Sequence, residues 1–372
     1  MVGIDNNINA FFALLQGGLW EKDVRLNAFG NIDYDIVNEL ASSQTVDGVV
    51  AAGLERVIDT KIPQNVALSF AGRAFQLERR NIAMNAFVAN LVVRLRNDDI
   101  YTLLVKGQGV AQCYERPLWR VNGDVDLYLS KGNYEKAKAC LLPLAQSIED
   151  EDKKRLHFGM TISGWVVELH GTMYTKISRR INKVYDEIHN DIFYNGNVRS
   201  WNDDGVQVFL PNANNDVIII FCHFVNHFYS EGIGLRQVCD WCRLLWTFQK
   251  TLDINLLESR IRRAGLIAEW KAFGALAVHW LGMPESSMPL YSNDIKWKRK
   301  ADKVIQIILN SGNMGHNKDM AYRLKTKGIK RKLLTLYYVT CDSIQRMKLF
   351  PINALRAWCA TIVKGVTDTV CG

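Results

Sequence analysis

The sequence predicts an α+β protein, in which a small α/β core with a mixed sheet is flanked by N-terminal and C-terminal helical regions. Three observations predict it. Residues 1–98 carry apolar side chains at steps of three and four, most clearly over Val66–Arg96, which has few helix breakers. Residues 99–215 switch to short runs of strand formers separated by glycine turns. From Asp216 onward the pattern is helical again, over 216–229, 235–250, 253–264, 267–281, 294–311 and on to about 364. The expected organisation is therefore 1–98, a helical region; 99–215, the core; and 216–372, a helical region ending in a basic tail.

Within the core the elements follow in order. Asp98-Asp99 ends the first helical pattern, and YTLLV at 101–105 is short and rich in strand formers. Lys106-Gly107 is a turn, and Gly109–Tyr114 a helix. Glu115–Gly123 is polar, contains Pro117 and ends in glycine, so it is a loop. Val125–Leu129 alternates with acidic residues and predicts a strand; Tyr134–Leu144 predicts a helix and Thr161–His170 another strand. Strand, turn, helix, loop, strand, helix, strand within about 70 residues is an α/β unit.

Composition narrows the class. The chain has 372 residues, 48% hydrophobic and 23% charged, with 7 prolines, which excludes collagen, long disorder and mucin-like stalks. The net charge of +8 is uneven: from Tyr291 onward there are 16 Lys/Arg against 5 Asp/Glu, a net of +11, leaving −3 for residues 1–290. The N-terminus lacks the basic start, long apolar run and small-residue cleavage site of a secretory leader. No run reaches the ~18 apolar residues of a membrane span. The nearest, VIIIFCHFVNHFY at 217–229, reads as a buried helix. Eight scattered cysteines form no small-domain disulfide framework, and reduced thiols in the cytoplasm are the simplest expectation.

The most informative segment is GDVDLYL at 123–129. On a strand, Asp124 and Asp126 share one face while Val125, Leu127 and Leu129 point into the core. Two uncovered carboxylates on one face repel each other unless a cation lies between them, and hard cations such as Mg²⁺ take oxygen ligands. In Trp165–His170, Glu168 and His170 face away from Val167 and Leu169. If the two strands pair, Glu168 joins the aspartates as a third metal ligand or as the base for an attacking hydroxyl. Two metals about 4 Å apart could then hold both oxygens of a phosphoryl displacement. Upstream, the backbone N–H groups of Lys106-Gly107-Gln108-Gly109 could receive phosphate, with the Lys106 charge beside them.

A strand, a glycine turn, a helix and a strand bearing Asp-x-Asp resemble the nucleotidyltransferase superfamily of the DNA polymerase β type. Gln108 stands where serine is usual, and the spacing from turn to acids is longer. A closer resemblance accounts for both. The run LLVKGQGVAQCYERPLWRVNGDVDLYL is similar to a bacterial family of uncharacterised nucleotidyltransferases, on Lys106, Gly107, Tyr114, Pro117, Arg120, Gly123, Asp124, Asp126 and Leu127. The resemblance continues through Glu168, Leu169 and His170, then His223, His227, Gly234, Leu235, Arg236 and Asp240, and spans at least residues 20–250. It implies transfer of a nucleoside monophosphate from an NTP to an acceptor hydroxyl on a small molecule, a sugar or a protein. Asp124 and Asp126 would hold Mg²⁺, with Glu168 completing the site. Lys106, Gly107, Gln108 and Gly123 would receive the nucleotide, and Arg120 would neutralise the leaving pyrophosphate. His170, His223 and His227 would line the cleft, with Arg236 and Asp240 as a charged pair.

Other constellations have competing readings. His223 and His227 share a helical face, and with Cys239-x-x-Cys242 they could hold zinc, although buried cysteines packing as small apolar groups suit the apolar context better. Trp241, Trp246, Trp270, Trp280 and Trp297 read as core. The basic run KTKGIKRK, Lys325–Lys332, is either a solvated surface or a contact for phosphate-rich partners; no aromatics interleave with it, so nucleic acid is not favoured. The alternative to turnover is a nucleic-acid-binding or nucleotide-sensing protein on the same fold.

Overall fold

Alternation of apolar and polar residues is the pattern of a half-buried strand, and at 125–129 it produces the strand at the centre of the sheet. The computed structural model describes residues 6–315, 317 and 328–370. Helices α1 (Asn6–Trp20), α2 (Tyr34–Ser43), α3 (Asp47–Leu54) and the 34-residue α4 (Gln64–Asn97) come first. The middle contains β1 (Thr102–Val105), α5 (Gly107–Ala111), β2 (Val125–Leu129), α6 (Lys131–Leu141), β3 (Ser147–Ile148), β4 (His157–Ile162), β5 (Trp165–His170), α7 (Arg179–Phe193), β6 (Val198–Asp203) and β7 (Val206–Pro211). Then follow α8 (Ala213–Tyr229), α9 (Leu235–Phe248), α10 (Ile254–Ala264), α11 (Ile267–His279), α12 (Ile295–Ser311), α13 (Gly328–Met347) and α14 (Pro351–Val370).

The strands form one seven-stranded mixed sheet in the order β3-β4-β5-β2-β1-β7-β6. β2 runs antiparallel to β1 and parallel to β5, and β1 runs parallel to β7. Side-chain alternation divides the core. Leu104, Val125, Leu127, Leu129, Val167 and Leu169 pack on one face beneath Met84, Val88 and Leu91 of α4 and Tyr134 and Leu141 of α6. Leu103, Val105 and Tyr128 face the other way, into a larger core with α1, α3, α8, α9 and α11. Trp241 and Trp270 are fully buried there, with ring centroids 4.7 Å apart at nearly right angles. Side-chain caps set the helix starts next to strands: Ser130 caps α6 directly after β2, and Asn212 caps α8 directly after β7.

The expected strand at 161–170 is instead a hairpin. Ser163 and Gly164, with φ of 51° and 79°, break it into β4 and β5, a two-residue turn of the kind that matches sheet twist. The helix expected at 109–114 begins earlier, at Gly107, and stops at Ala111. A second hairpin, β6–β7, turns at Asp204-Gly205. No helix of the described residues is long and apolar enough to cross a membrane. Of the basic run, residues 325–327 lie outside the described residues, while Lys330, Arg331 and Lys332 are exposed at the start of α13.

Candidate active site

The parallel register of β2 and β5 sets Asp126 opposite Glu168 and Tyr128 opposite His170. Opposed residues share a face, so both acids emerge on the side away from Val125 and Val167. Asp124 lies one residue before β2. Carboxylate oxygens of Asp124, Asp126 and Glu168 all lie within 4.8 Å of one another. On the other side of β2, Val105 ends β1 opposite Asp126. Lys106 follows with φ 60° and ψ −143°, a conformation natural to glycine but strained for lysine. From there its Nζ donates to Asp126 Oδ1 at 2.7 Å.

The charges in this cluster are strongly coupled. Burial opposes the charge on Asp126, but Lys106 and His170 hold its carboxyl below the ordinary range. Burial likewise opposes the charge on Glu168, yet hydrogen bonds from His157 and His170 keep its carboxyl far down. Asp124 goes the other way: the neighbouring Asp126 charge, then burial, raises it. Burial works against the Lys106 ammonium, but the three carboxylates raise it, Asp126 foremost.

Histidines surround the acids. His170 Nε2 lies 2.8 Å from Asp126 Oδ1 and 3.3 Å from Glu168 Oε2. His157, on β4, brings its Nε2 to 3.3 Å from the same Glu168 oxygen. Nothing local in the sequence marks His157; only the antiparallel register of the β4–β5 hairpin places it opposite His170. On α8, the rings of His223 and His227 have centroids 4.5 Å apart. Burial, then the charges of Lys106, His227 and His170, push the pKa of the His223 imidazole well below its ordinary range. His227 points to Glu231, 3.2 Å away.

The expected charged pair of Arg236 and Asp240 has a different composition. Asp240 is engaged by Arg120, not Arg236: Arg120 Nε donates to Oδ1 at 2.8 Å and Nη2 to Oδ2 at 2.6 Å, with both side chains about 5% exposed. Tyr114 donates its hydroxyl to Asp240 Oδ1 at 2.8 Å. The remaining Arg120 nitrogen donates to Asn122 and to the Val121 carbonyl. The Arg120 guanidinium is thus engaged on every side inside the protein and ties the loop before Asp124 to α9. Asn81 of α4 fastens the same loop, donating to the carbonyls of Leu118 at 2.7 Å and Arg120 at 2.8 Å. Sequence reasoning missed Asn81, which sits unmarked in a long helix.

Arg236 donates through Nη1 to the Val121 carbonyl at 2.8 Å, while its buried Nε has no protein partner. Burial and the nearby Arg120 charge lower its affinity for its proton, and the Asp240 charge, then that of Asp124, counters them. Gln108 is almost wholly buried, and both ends of its amide lack a protein partner. Gly123 is exposed, and a Cβ there would meet nothing within 4 Å, so open space adjoins Asp124. Cys239 and Cys242 lie in the apolar core, where burial raises both thiols. Among the described residues, the groups able to hold a metal are Asp124–Asp126–Glu168 and His157–Glu168–His170.

Comparison with known proteins adds one match. The family model of an uncharacterised nucleotidyltransferase covers residues 30–282, which include every residue of this site. No curated protein and no solved structure matches.

Proposed function

The chain belongs to this nucleotidyltransferase family and is a transferase enzyme, and on that premise we propose that it moves a nucleoside monophosphate from an NTP to a hydroxyl of a small molecule, sugar or protein. The observation that carries the proposal is the convergence of Asp124, Asp126 and Glu168 within 4.8 Å, on adjacent strands, beside Lys106 and a glycine turn. Three carboxylates are the hard oxygen donor set that Mg²⁺ prefers. Mg²⁺, when bound, would offset the negative charge that builds up on the reacting phosphate.

In this reading Asp124 and Asp126 hold the cation, and Glu168 completes the site or accepts the proton of the attacking hydroxyl. Lys106 neutralises the phosphate tail, and Gly107 contributes its N–H. The amide of Gln108 and the Nε of Arg236 have no partner within the protein, and in this reading the bound nucleotide would supply one, which offsets the roughly 1–3 kcal/mol cost of an unpaired buried polar group. The chemistry is mostly positioning and charge neutralisation.

The test is pyrophosphate release, with α-labelled NTPs, Mg²⁺ and a panel of hydroxyl acceptors offered to the full chain. Asp126→Asn should reduce release by roughly a hundredfold or more, measured below its own melting temperature, where circular dichroism shows it folded. Full activity in that variant, or no release from any NTP by the wild type, refutes the proposal.

A further inference from the structure

The sheet carries a second set of ligand atoms beside the carboxylates. His157 on β4 and His170 on β5 are directly opposed in an antiparallel pair, with ring centroids 4.8 Å apart. Both Nε2 atoms lie 3.3 Å from one oxygen, Glu168 Oε2, and ligand atoms of all three residues fall within 4.8 Å of one another. All three side chains are partly open to solvent.

We propose that His157, Glu168 and His170 bind a first-row transition-metal dication of the Zn²⁺ type, at a site separate from the Mg²⁺ position and joined to it by Glu168. The distances suit metal ligands and are long for charge-assisted hydrogen bonds. A charge-assisted N–H···O bond is about 2.7–2.9 Å long, as His170 to Asp126 is at 2.8 Å. The two contacts to Glu168 are longer, at 3.3 Å. A tetrahedral metal with bonds of about 2.0–2.1 Å holds neighbouring ligand atoms about 3.3 Å apart. Two imidazoles and one carboxylate also make a donor set that Zn²⁺, Co²⁺ and Fe²⁺ take in preference to Mg²⁺, with positions left open for a further ligand. Adjacent strands hold all three residues, so the set is fixed by sheet register instead of by a loop. His170 Nε2 cannot donate to Asp126 and ligate a metal at once. Occupancy would therefore release Asp126 from His170.

The site can be tested without any acceptor or nucleotide. Co²⁺ alone is titrated into the chelator-stripped full chain and followed by ligand-field absorption, with bound metal measured after dialysis. About one Co²⁺ per chain should give this absorption, and excess Mg²⁺ should not displace it. His157→Ala and the more conservative His157→Gln should each weaken binding at least tenfold, since even outer-shell changes cost about 10–100-fold. Asp124→Asn, which removes a charge near the shared Glu168 but no ligand of this site, should weaken Co²⁺ binding less than His157→Ala does, and His227→Ala, which breaks the α8 histidine pair, should leave it unchanged. Failure to bind Co²⁺, undiminished binding in both His157 variants, or a loss in Asp124→Asn or His227→Ala as large as that in His157→Ala overturns the inference. None of these readouts depends on whether nucleotidyl transfer occurs.

Discussion

Replacing Asp240 by Asn tests the frame that holds the loop before Asp124. The substitution keeps the volume and removes the charge. It leaves the Arg120 guanidinium buried, having lost the carboxylate that both Nε and Nη2 contact at 2.8 and 2.6 Å. Breaking a buried pair from one side costs about 3–5 kcal/mol. The upper part of that range applies here, because Arg236 already places a second cation close to Arg120. Against a total stability of about 5–15 kcal/mol this is a large fraction. Urea unfolding should show a lower midpoint at unchanged slope. The double variant Arg120→Met/Asp240→Leu should recover most of the loss, since an apolar pair of similar volume often replaces a buried ion pair at little cost. It should stay about 1–3 kcal/mol below wild type, because the Tyr114 hydroxyl and Asn122 lose their partners. A loss below about 1 kcal/mol in Asp240→Asn, the value of an exposed pair, or a double variant no better than the single, would refute the reasoning.

Two further outcomes are expected. Lys106→Gly and Lys106→Ala both lose the ion pair to Asp126, but only glycine suits φ 60° and ψ −143°, so the glycine variant should be more stable than the alanine by about 1 kcal/mol in paired urea melts; equal stability would mean that the backbone there is unstrained. His189 Nδ1 shares a hydrogen bond with the Tyr128 hydroxyl at 2.7 Å, and burial, then Lys131, lowers its pKa below the ordinary 6.5. The unfolded chain therefore binds the proton more readily, so this contribution is complete above about pH 6.5 and is lost as pH falls below it. Stability measured from pH 7 to 5 should fall less steeply in His189→Gln than in wild type, and identical slopes would exclude the assignment.

What could be read from the sequence follows from how local each signal is. Asp124 and Asp126 announce themselves because their alternation with Val125, Leu127 and Leu129 is a property of seven consecutive residues. Glu168 is legible for the same reason. His157 is not: it stands eleven residues before Glu168, and its role exists only once Ser163-Gly164 turns the chain and sets the register. That turn was readable, since Ser-Gly between alternating segments is a hairpin signal, as was Asp204-Gly205 before β7. The partner of Asp240 was not. Arg120 and Arg236 are equally plausible by charge, and burial and approach angle select Arg120, 120 positions away. Gln108 stands in the serine position of the superfamily pattern, but that its amide is buried without a partner is a fact of packing that no pattern carries.

The charge distribution at the site indicates where a cation would enter. Lys106 and His170 both contact the same oxygen, Asp126 Oδ1, and His170 together with His157 reaches Glu168. Asp126 and Glu168 are thus neutralised from within, and both carboxyls are held low. Among the described residues no cation lies at hydrogen-bond distance from Asp124; its neighbour Asp126, then burial, raises it, and the more distant Lys106 only partly offsets this. The uncompensated negative charge of the cluster is therefore concentrated at Asp124. That residue adjoins exposed Gly123, where nothing occupies the space a side chain would fill. In the proposed function, a divalent cation entering there would meet the carboxylate with the most to gain, and Lys106 would be free to turn from Asp126 to the phosphates. The strained backbone at Lys106 would serve this exchange, since it aims the ammonium at the Asp126 carboxylate instead of away from it.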